Sequence, residues 1–299
     1  MTKQYEKTIL IQENQAGQRV KAYLTNSFVP KQLRGKLRQQ WGITVNQQRV
    51  STAYQLRKGD LLTLTVALDE KALQGPYAPN PKQSIHVVFE DDDFLVVSKE
   101  AGMKMHPHSK TEEDTLLNFV QAYLDKTGAV SAGQAASAQM IHRLDRATSG
   151  LVLIGKNPII VPILNREIKE KVAKKIYLAR VSGIMSKKSG VFAQAMGPSK
   201  KEPRKRQLLS LAEGGQSALT YYRVLEESES DQSSLVELAL ATGRMHQLRV
   251  HLAANGHPII GDDLYFGRPA VRLYLQATAL SLLMPWTMEA RTFRIPKEW

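Results

Sequence analysis

The chain has 299 residues, with 41 lysines and arginines against 28 aspartates and glutamates, a formal charge of +13. That length leaves room for two domains, and the cationic surplus points to a polyanion, an anionic membrane surface being the weaker alternative. With no cysteine there is no disulfide framework, zinc finger or thiol nucleophile. No stretch reaches the length of a membrane span and residues 1–10 carry no apolar signal region, so no membrane partner and a cytoplasmic location are expected.

Residues 1–70 form a basic unit, with 11 Lys/Arg against 5 Asp/Glu. Arg19, Val20, Ala22, Tyr23 and Leu24 begin an amphipathic helix pattern. A second spans residues 31–40, with Leu33 and Leu37 on one face and Arg34 and Arg38 near the other. Residues 43–50 alternate like a strand that turns at Asn46-Gln47-Gln48, and Lys58-Gly59-Asp60 is a turn before an alternating strand over 61–66. This order of elements resembles the S-four-type RNA-binding module, named for a small-subunit ribosomal protein. The resemblance implies that the second helix presents Lys31, Arg34, Lys36 and Arg38 to RNA, although the usual Ser-Arg pair at its start is absent. Taken alone, a charged helix face is more often simply solvated. Residues 71–83 carry Gly75, Pro76, Pro79 and Pro81 without apolar periodicity, which predicts a stiff linker tethering this module to a larger domain over 84–299.

The larger part opens with strands over 85–89 and 94–97, joined through Glu90-Asp91-Asp92-Asp93. That acidic run lacks the spaced ligands of a calcium loop and is expected to be a solvated turn. Residues 99–107 read as an irregular loop. A helix follows over 115–124, with Asp114 as N-cap, and residues 131–139 are a loop. Next come His142, Arg143, Asp145 and Arg146, four ionisable groups within five residues. The turn Thr148-Ser149-Gly150 separates them from an apolar run over 151–154. A carboxylate among cations at the lip of a buried strand suits a functional group, and it equally suits an aspartate that Arg143 or Arg146 holds to fix a loop.

Residues 162–173 give a further helix pattern, and 174–181 alternate as a strand carrying Tyr177. Lys200, Lys201, Arg204, Lys205 and Arg206 stand against Glu202 alone. Phosphate contacts from such a loop would add salt-sensitive affinity, the alternative being a solvated surface loop. Strands over 219–225 and 235–240 flank an acidic, serine-rich turn. The block from Thr242 to Leu252 then reads as Gly turn and short helix, with Gly256 as its stop. Leu248 and Leu252 share one helix face while Arg249 can point at a cleft, where a carboxylate partner is expected. His106, His108, His142, His246, His251 and His257 do not fall into a metal-binding spacing, so no metal is expected. Phosphate-cradling glycine loops are absent. Glycoside hydrolysis would need a second carboxylate, for which Asp262 and Asp263 are available.

His142-Arg143-Leu144-Asp145 followed by Thr148-Ser149-Gly150-Leu151 resembles a signature of the RluA/RluD-type RNA pseudouridine synthases. The block from Thr242 to Asp262 resembles a second signature of the same family. The resemblance implies an α+β protein, with a small helix-rich RNA-binding module and a catalytic domain built on a curved, mostly antiparallel mixed sheet with a central cleft. It implies that Asp145 is catalytic, that Tyr177 enters the active site from a Lys-x-Tyr strand, and that Arg249 pairs with Asp145. The implied reaction converts specific uridines of structured RNA to pseudouridine, with large-subunit ribosomal RNA favoured and transfer RNA the alternative. A monomer without cofactor is expected. His142 and Arg143 are expected at the RNA, and Ile259 or Ile260 as an apolar pocket wall. A non-catalytic RNA-binding protein would account for the charge, but not for Asp145, Tyr177 and Arg249 in these contexts.

Overall fold

A computed structural model describes residues 2–69, 77–109, 111–127 and 137–299. In the N-terminal part, β1 (Thr2–Leu10) is followed by α1 (Val20–Asn26) and α2 (Lys31–Gln39). β2 (Ile43–Val45), β3 (Gln48–Arg49) and β4 (Leu61–Asp69) complete it, giving a sheet in the order β1-β4-β2-β3. Asn46 and Gln47 between β2 and β3 both have positive φ (49° and 67°). That is the two-residue turn whose twist matches the strands it joins. Tyr23, Leu24 and Leu37 turn the apolar faces of the helices into the core, as their spacing predicts.

The larger sheet gathers ten strands. They are β5 (His86–Glu90), β6 (Phe94–Lys99), β7 (Gln139–Met140), β8 (Ser149–Gly155), β9 (Lys174–Ser182) and β10 (Ser189–Phe192). After a separate hairpin of β11 (Met196–Pro198) and β12 (Arg206–Leu208) come β13 (Thr220–Ser228), β14 (Ser233–Leu240), β15 (Leu275–Leu283) and β16 (Ala290–Arg294). The order is β10-β13-β14-β9-β15-β8-β6-β5, with β16 on β15 and β7 on β8. Among the described strand pairings of this sheet only β8 with β15 is parallel, so the sheet is mixed and mostly antiparallel. Three helices pack on it: α3 (Leu116–Thr127), α4 (Ile160–Lys169) and α5 (Gln247–Ala254). Thr115 precedes α3 and is buried, whereas Asp114, the expected N-cap, is exposed.

The two-residue period of the strands feeds two cores. Phe94, Val96, Leu151 and Leu153 face one side with α4; Leu95, Val97, Val152 and Ile154 face the other with α3 and α5. Every residue of β8 is therefore buried, which is why its sequence reads as a continuous apolar run. Each such side chain contributes on the order of 1.5–3 kcal/mol. Gly150 (φ 114°) opens β8 where a Cβ would strike the backbone of Ala277 on β15. Glycine at this point allows the parallel pair to close.

The small sheet does not hang from its connecting chain. Its core continues into that of the larger domain, through Phe94, Leu280, Trp286 and Phe293. The carbonyl of Trp286 accepts hydrogen bonds from Gln15 Nε2 (2.6 Å) and from the Tyr23 hydroxyl (3.0 Å). The Trp286 indole N–H donates to Asp93 Oδ2 (2.9 Å), and Lys7 Nζ pairs with the same oxygen at 2.7 Å. Asp93 also accepts from Asn157 Nδ2 (2.8 Å), and Asp91 Oδ1 accepts the N–H groups of Asp93 and Phe94. The acidic turn expected to be solvated is thus in part a joint between the two parts: Asp93 is buried and bonded across it and Asp91 is half-buried, while Asp92 alone is exposed. Of the expected linker, residues 71–76 lie outside the described residues, and the remainder is pinned to α3. Asn80 N–H donates to the Asn118 carbonyl (3.1 Å), and Asn118 Nδ2 donates to the Ala78 carbonyl (2.7 Å). Most of the 131–139 loop likewise falls outside the described residues.

Candidate active site

The segment 141–148 crosses from β7 to the start of β8, and its turn closes with Thr148 N–H donating to the Asp145 carbonyl (3.1 Å). A facing loop locks it. Gly102 N–H donates to the Arg146 carbonyl (2.8 Å), and Arg146 Nε donates to the Gly102 carbonyl (2.9 Å). Behind both lies Lys99, wholly buried at the end of β6, with Nζ donating to the carbonyls of Glu100, Met103 and Arg146. Burial pulls its ammonium down to about 7 against the opposing pull of the nearby Asp145 carboxylate.

Asp145 opens into a cleft of about 550 Å³, lined on one side by Arg143, Leu144 and Thr148. Lys175 and Tyr177 of β9 project into it from the same strand face, and Gly243 to Arg249 close it from α5 and the turn before. The Asp145 side chain is 23% exposed. Tyr177 is buried, and burial together with Asp145 pushes its hydroxyl well above the usual range, so it stays protonated. Lys175 is drawn down to about 8 by burial and by Lys171.

Asp145, Tyr177 and Arg249 therefore meet at one cleft, but the expected pairing of Arg249 differs. Its Nε and Nη2 donate to the two oxygens of Asp262 at 2.8 and 2.6 Å, in a pair whose side chains are 3% and 0% exposed. A bidentate grip saturates the guanidinium edge. Among the described ion pairs its other contact is Asp263 at 3.6 Å, not Asp145. The described basic group nearest the Asp145 carboxylate is His246, with Nε2 at 3.9 Å from Oδ2. His246 Nδ1 lies 2.8 Å from the Tyr265 hydroxyl, which also accepts the Arg206 N–H at 2.8 Å. Burial holds the imidazole below its ordinary range, against the pull of Asp145. Asp262 Oδ1 in turn accepts the N–H of Tyr265 (3.1 Å), so the Arg249–Asp262 pair sets the loop that sets His246.

The other expected residues divide. Arg143 is exposed at the cleft mouth. His142 is buried, and its Nε2 accepts the Leu153 N–H (3.1 Å) where β7 leaves β8; burial keeps it neutral. Ile259 and Ile260 do not line the cleft. They are core residues, with Ile259 bridged to Val181 and Ile260 N–H donating to the Arg180 carbonyl. Lys200, Lys201 and Arg204 are exposed on the β11–β12 connection. Arg206 lines a second groove that shares Gly243, Arg244 and Met245 with the main cleft. Arg34 and Arg38 lie on α2, outside the cleft lining; Arg34 turns back to the Thr25 hydroxyl while Arg38 is exposed. Lys99 and Tyr265 carry no motif signal, and the histidine spacing bears on His246 only as a metal ligand. Its position three residues before Arg249, the helix residue facing the cleft, could have marked it.

The RNA pseudouridylate synthase family matches residues 93–254, and the N-terminal domain of the RluD ribosomal pseudouridine synthases matches residues 7–62. The uncharacterized RNA pseudouridine synthase YhcT of Bacillus subtilis is 31% identical, over 94% of this chain and 90% of its own length. The ribosomal large subunit pseudouridine synthase C of Vibrio parahaemolyticus is 29% identical, over 96% and 92%. Among solved structures, human RNA pseudouridylate synthase domain containing 1 superposes with a TM-score of 0.60 at 28% identity, covering 73% of this chain and 85% of that one. Motif, fold and whole-length similarity agree: the chain belongs to the RNA pseudouridylate synthase family.

Proposed function

We propose that this protein isomerises specific uridines of large-subunit ribosomal RNA to pseudouridine, with Asp145 as the essential group. The observation that carries this reading is the carboxylate of Asp145, standing at the floor of a cleft walled by Tyr177 and His246 and ringed by Arg143, Lys171, Lys175 and Arg244. A uridine in structured RNA must leave its stack to reach such a group, at a cost of a few kcal/mol. Cations around the mouth take the flanking phosphates.

The bond from N1 to the ribose C1′ breaks, the freed base turns, and C5 bonds to C1′. A proton leaves C5 and one is gained at N1, so the reaction balances without oxidant, reductant or water consumed. Asp145 acts on C1′ either by covalent attack or by promoting cleavage of the glycosidic bond. Tyr177, protonated and lining the cleft, stacks on the base. Arg143 contacts RNA around the vacated position. Lys200, Lys201, Arg204, Lys205 and Arg206 form a basic hairpin beside the cleft, and Arg38 with Lys31 extends the cationic surface onto α2. The protein acts as a monomer in the cytoplasm, with no cofactor. Family members named for ribosomal large-subunit pseudouridines support ribosomal over transfer RNA.

Pseudouridine mapping in total RNA from cells with and without the gene tests the substrate. Loss of one or a few sites in large-subunit ribosomal RNA is expected. Loss confined to transfer RNA would overturn the ribosomal assignment, and an unchanged map would overturn the function.

A further inference from the structure

Phe266, in the loop between α5 and β15, is 89% exposed, and its backbone is left-handed (φ 61°). Both features are unfavourable for a bulky aromatic residue in the free protein. The strain is imposed by well-bonded neighbours. Gly267 N–H donates to the Asp262 carbonyl (2.9 Å), Asp262 is clamped by Arg249, and Tyr265 is bonded to both His246 and the Arg206 N–H. The ring is thus presented outward by a residue whose chain neighbour reaches the active site. Lys205 Nζ lies 5.5 Å from its centroid, and exposed Lys200, Lys201 and Arg204 occupy the same hairpin. An exposed, rigidly mounted aromatic ring among cations is the arrangement by which proteins hold single-stranded bases: the ring stacks on the base face, and the cations take the adjoining phosphates.

We propose that Phe266, with Lys205 at its edge, is a stacking platform for an unpaired nucleobase of the substrate RNA beside the uridine held in the cleft. This rests on the reading that the substrate is RNA. The ring contributes affinity that does not depend on salt, while Lys205 contributes affinity that does.

The test measures filter-binding affinity of the full-length protein for an unmodified large-subunit ribosomal RNA transcript labelled with tritium at uridine C5, across a salt series. Phe266→Ala is expected to weaken binding about tenfold with an unchanged salt slope. Phe266→Trp should stay near wild type and Phe266→Leu should bind as weakly as Ala, whereas Lys205→Ala should flatten the slope. Binding of Phe266→Ala within twofold of wild type would overturn the platform, as would Leu substituting as well as Trp. Tritium release by the wild-type protein from the same transcript reads the proposed function separately. Release without the affinity pattern sinks the platform alone; the affinity pattern without release leaves the platform standing and sinks the ribosomal substrate.

Discussion

At the scale of single residues, the grip of Arg249 on Asp262 moves the arginine's work from the Asp145 carboxylate to the loop that carries Tyr265. Burial opposes the guanidinium charge, and its hydrogen bonds to Asp262 together with the charges of Asp262 and Asp145 outweigh it, so removing either partner of the buried pair is costly. Arg249→Lys keeps the charge but loses the two-pronged geometry, and is expected to cost about 1–3 kcal/mol of stability, with turnover reduced. Asp262→Asn should cost a similar amount, and the double variant clearly less than the sum, because both remove one interaction. Denaturant unfolding of the three variants checks this. Strictly additive losses, or an Asp262→Asn variant with full stability and turnover, would return Arg249 to Asp145. Sequence spacing gave only the direction of Arg249 toward the cleft. It could not choose among Asp145, Asp262 and Asp263, because helical spacing gives the direction of a long side chain and not the carboxylate that the fold brings to its end. Lys99 was illegible for a related reason: a lysine ending a strand normally reads as solvated, and only the three carbonyls folded around it reveal otherwise.

At the scale of elements, α4 buries an acid against the sheet. Glu167 is 1% exposed. One carboxylate oxygen accepts the Leu283 N–H (3.2 Å) and the other has no hydrogen-bond partner among the described residues. Burial raises its carboxyl from 4.5 to about 7. The folded state therefore holds a proton that the unfolded chain releases between about pH 4.5 and 7, so this site's contribution to stability falls as pH rises through that window and is flat above it. The penalty above pH 8 is on the order of 3 kcal/mol. Glu167→Gln should accordingly unfold at a higher temperature than wild type at pH 8.5 and close to wild type at pH 5. Equal melting shifts at the two pH values would contradict a buried, proton-holding Glu167. The elements themselves were largely legible. The apolar run of β8 announced burial on both faces, the alternation of β9 placed Tyr177, and Gly256 (φ 85°) ends α5 where expected.

At the scale of the molecule, the N-terminal sheet and the larger domain share a core whose pivot is Trp286, 6% exposed and bonded through both its carbonyl and its indole. The joint was invisible in sequence because its partners are far apart: Trp286 and Asp93 lie 193 residues from each other, and Lys7 belongs to the other module. An acidic turn with unseen partners reads as a solvated one. Full-length protein should unfold in a single calorimetric transition. Trp286→Ala removes a large buried side chain, at about 3–5 kcal/mol, and should split that transition in two. Two transitions already present in the wild type would mean that the modules are independent. The same joint ties the sheet that carries α2 and its exposed Arg38 to the larger domain.

The role proposed for Asp145 is to perform the chemistry in a cleft that otherwise binds RNA. Its most direct test is tritium release from uridine-C5-labelled ribosomal RNA under single-turnover conditions, with filter binding of the same RNA measured alongside. For Asp145→Asn, release is predicted to fall to background while affinity stays within a few-fold of wild type. Substantial release by the variant, at a rate comparable to wild type, would contradict the assignment.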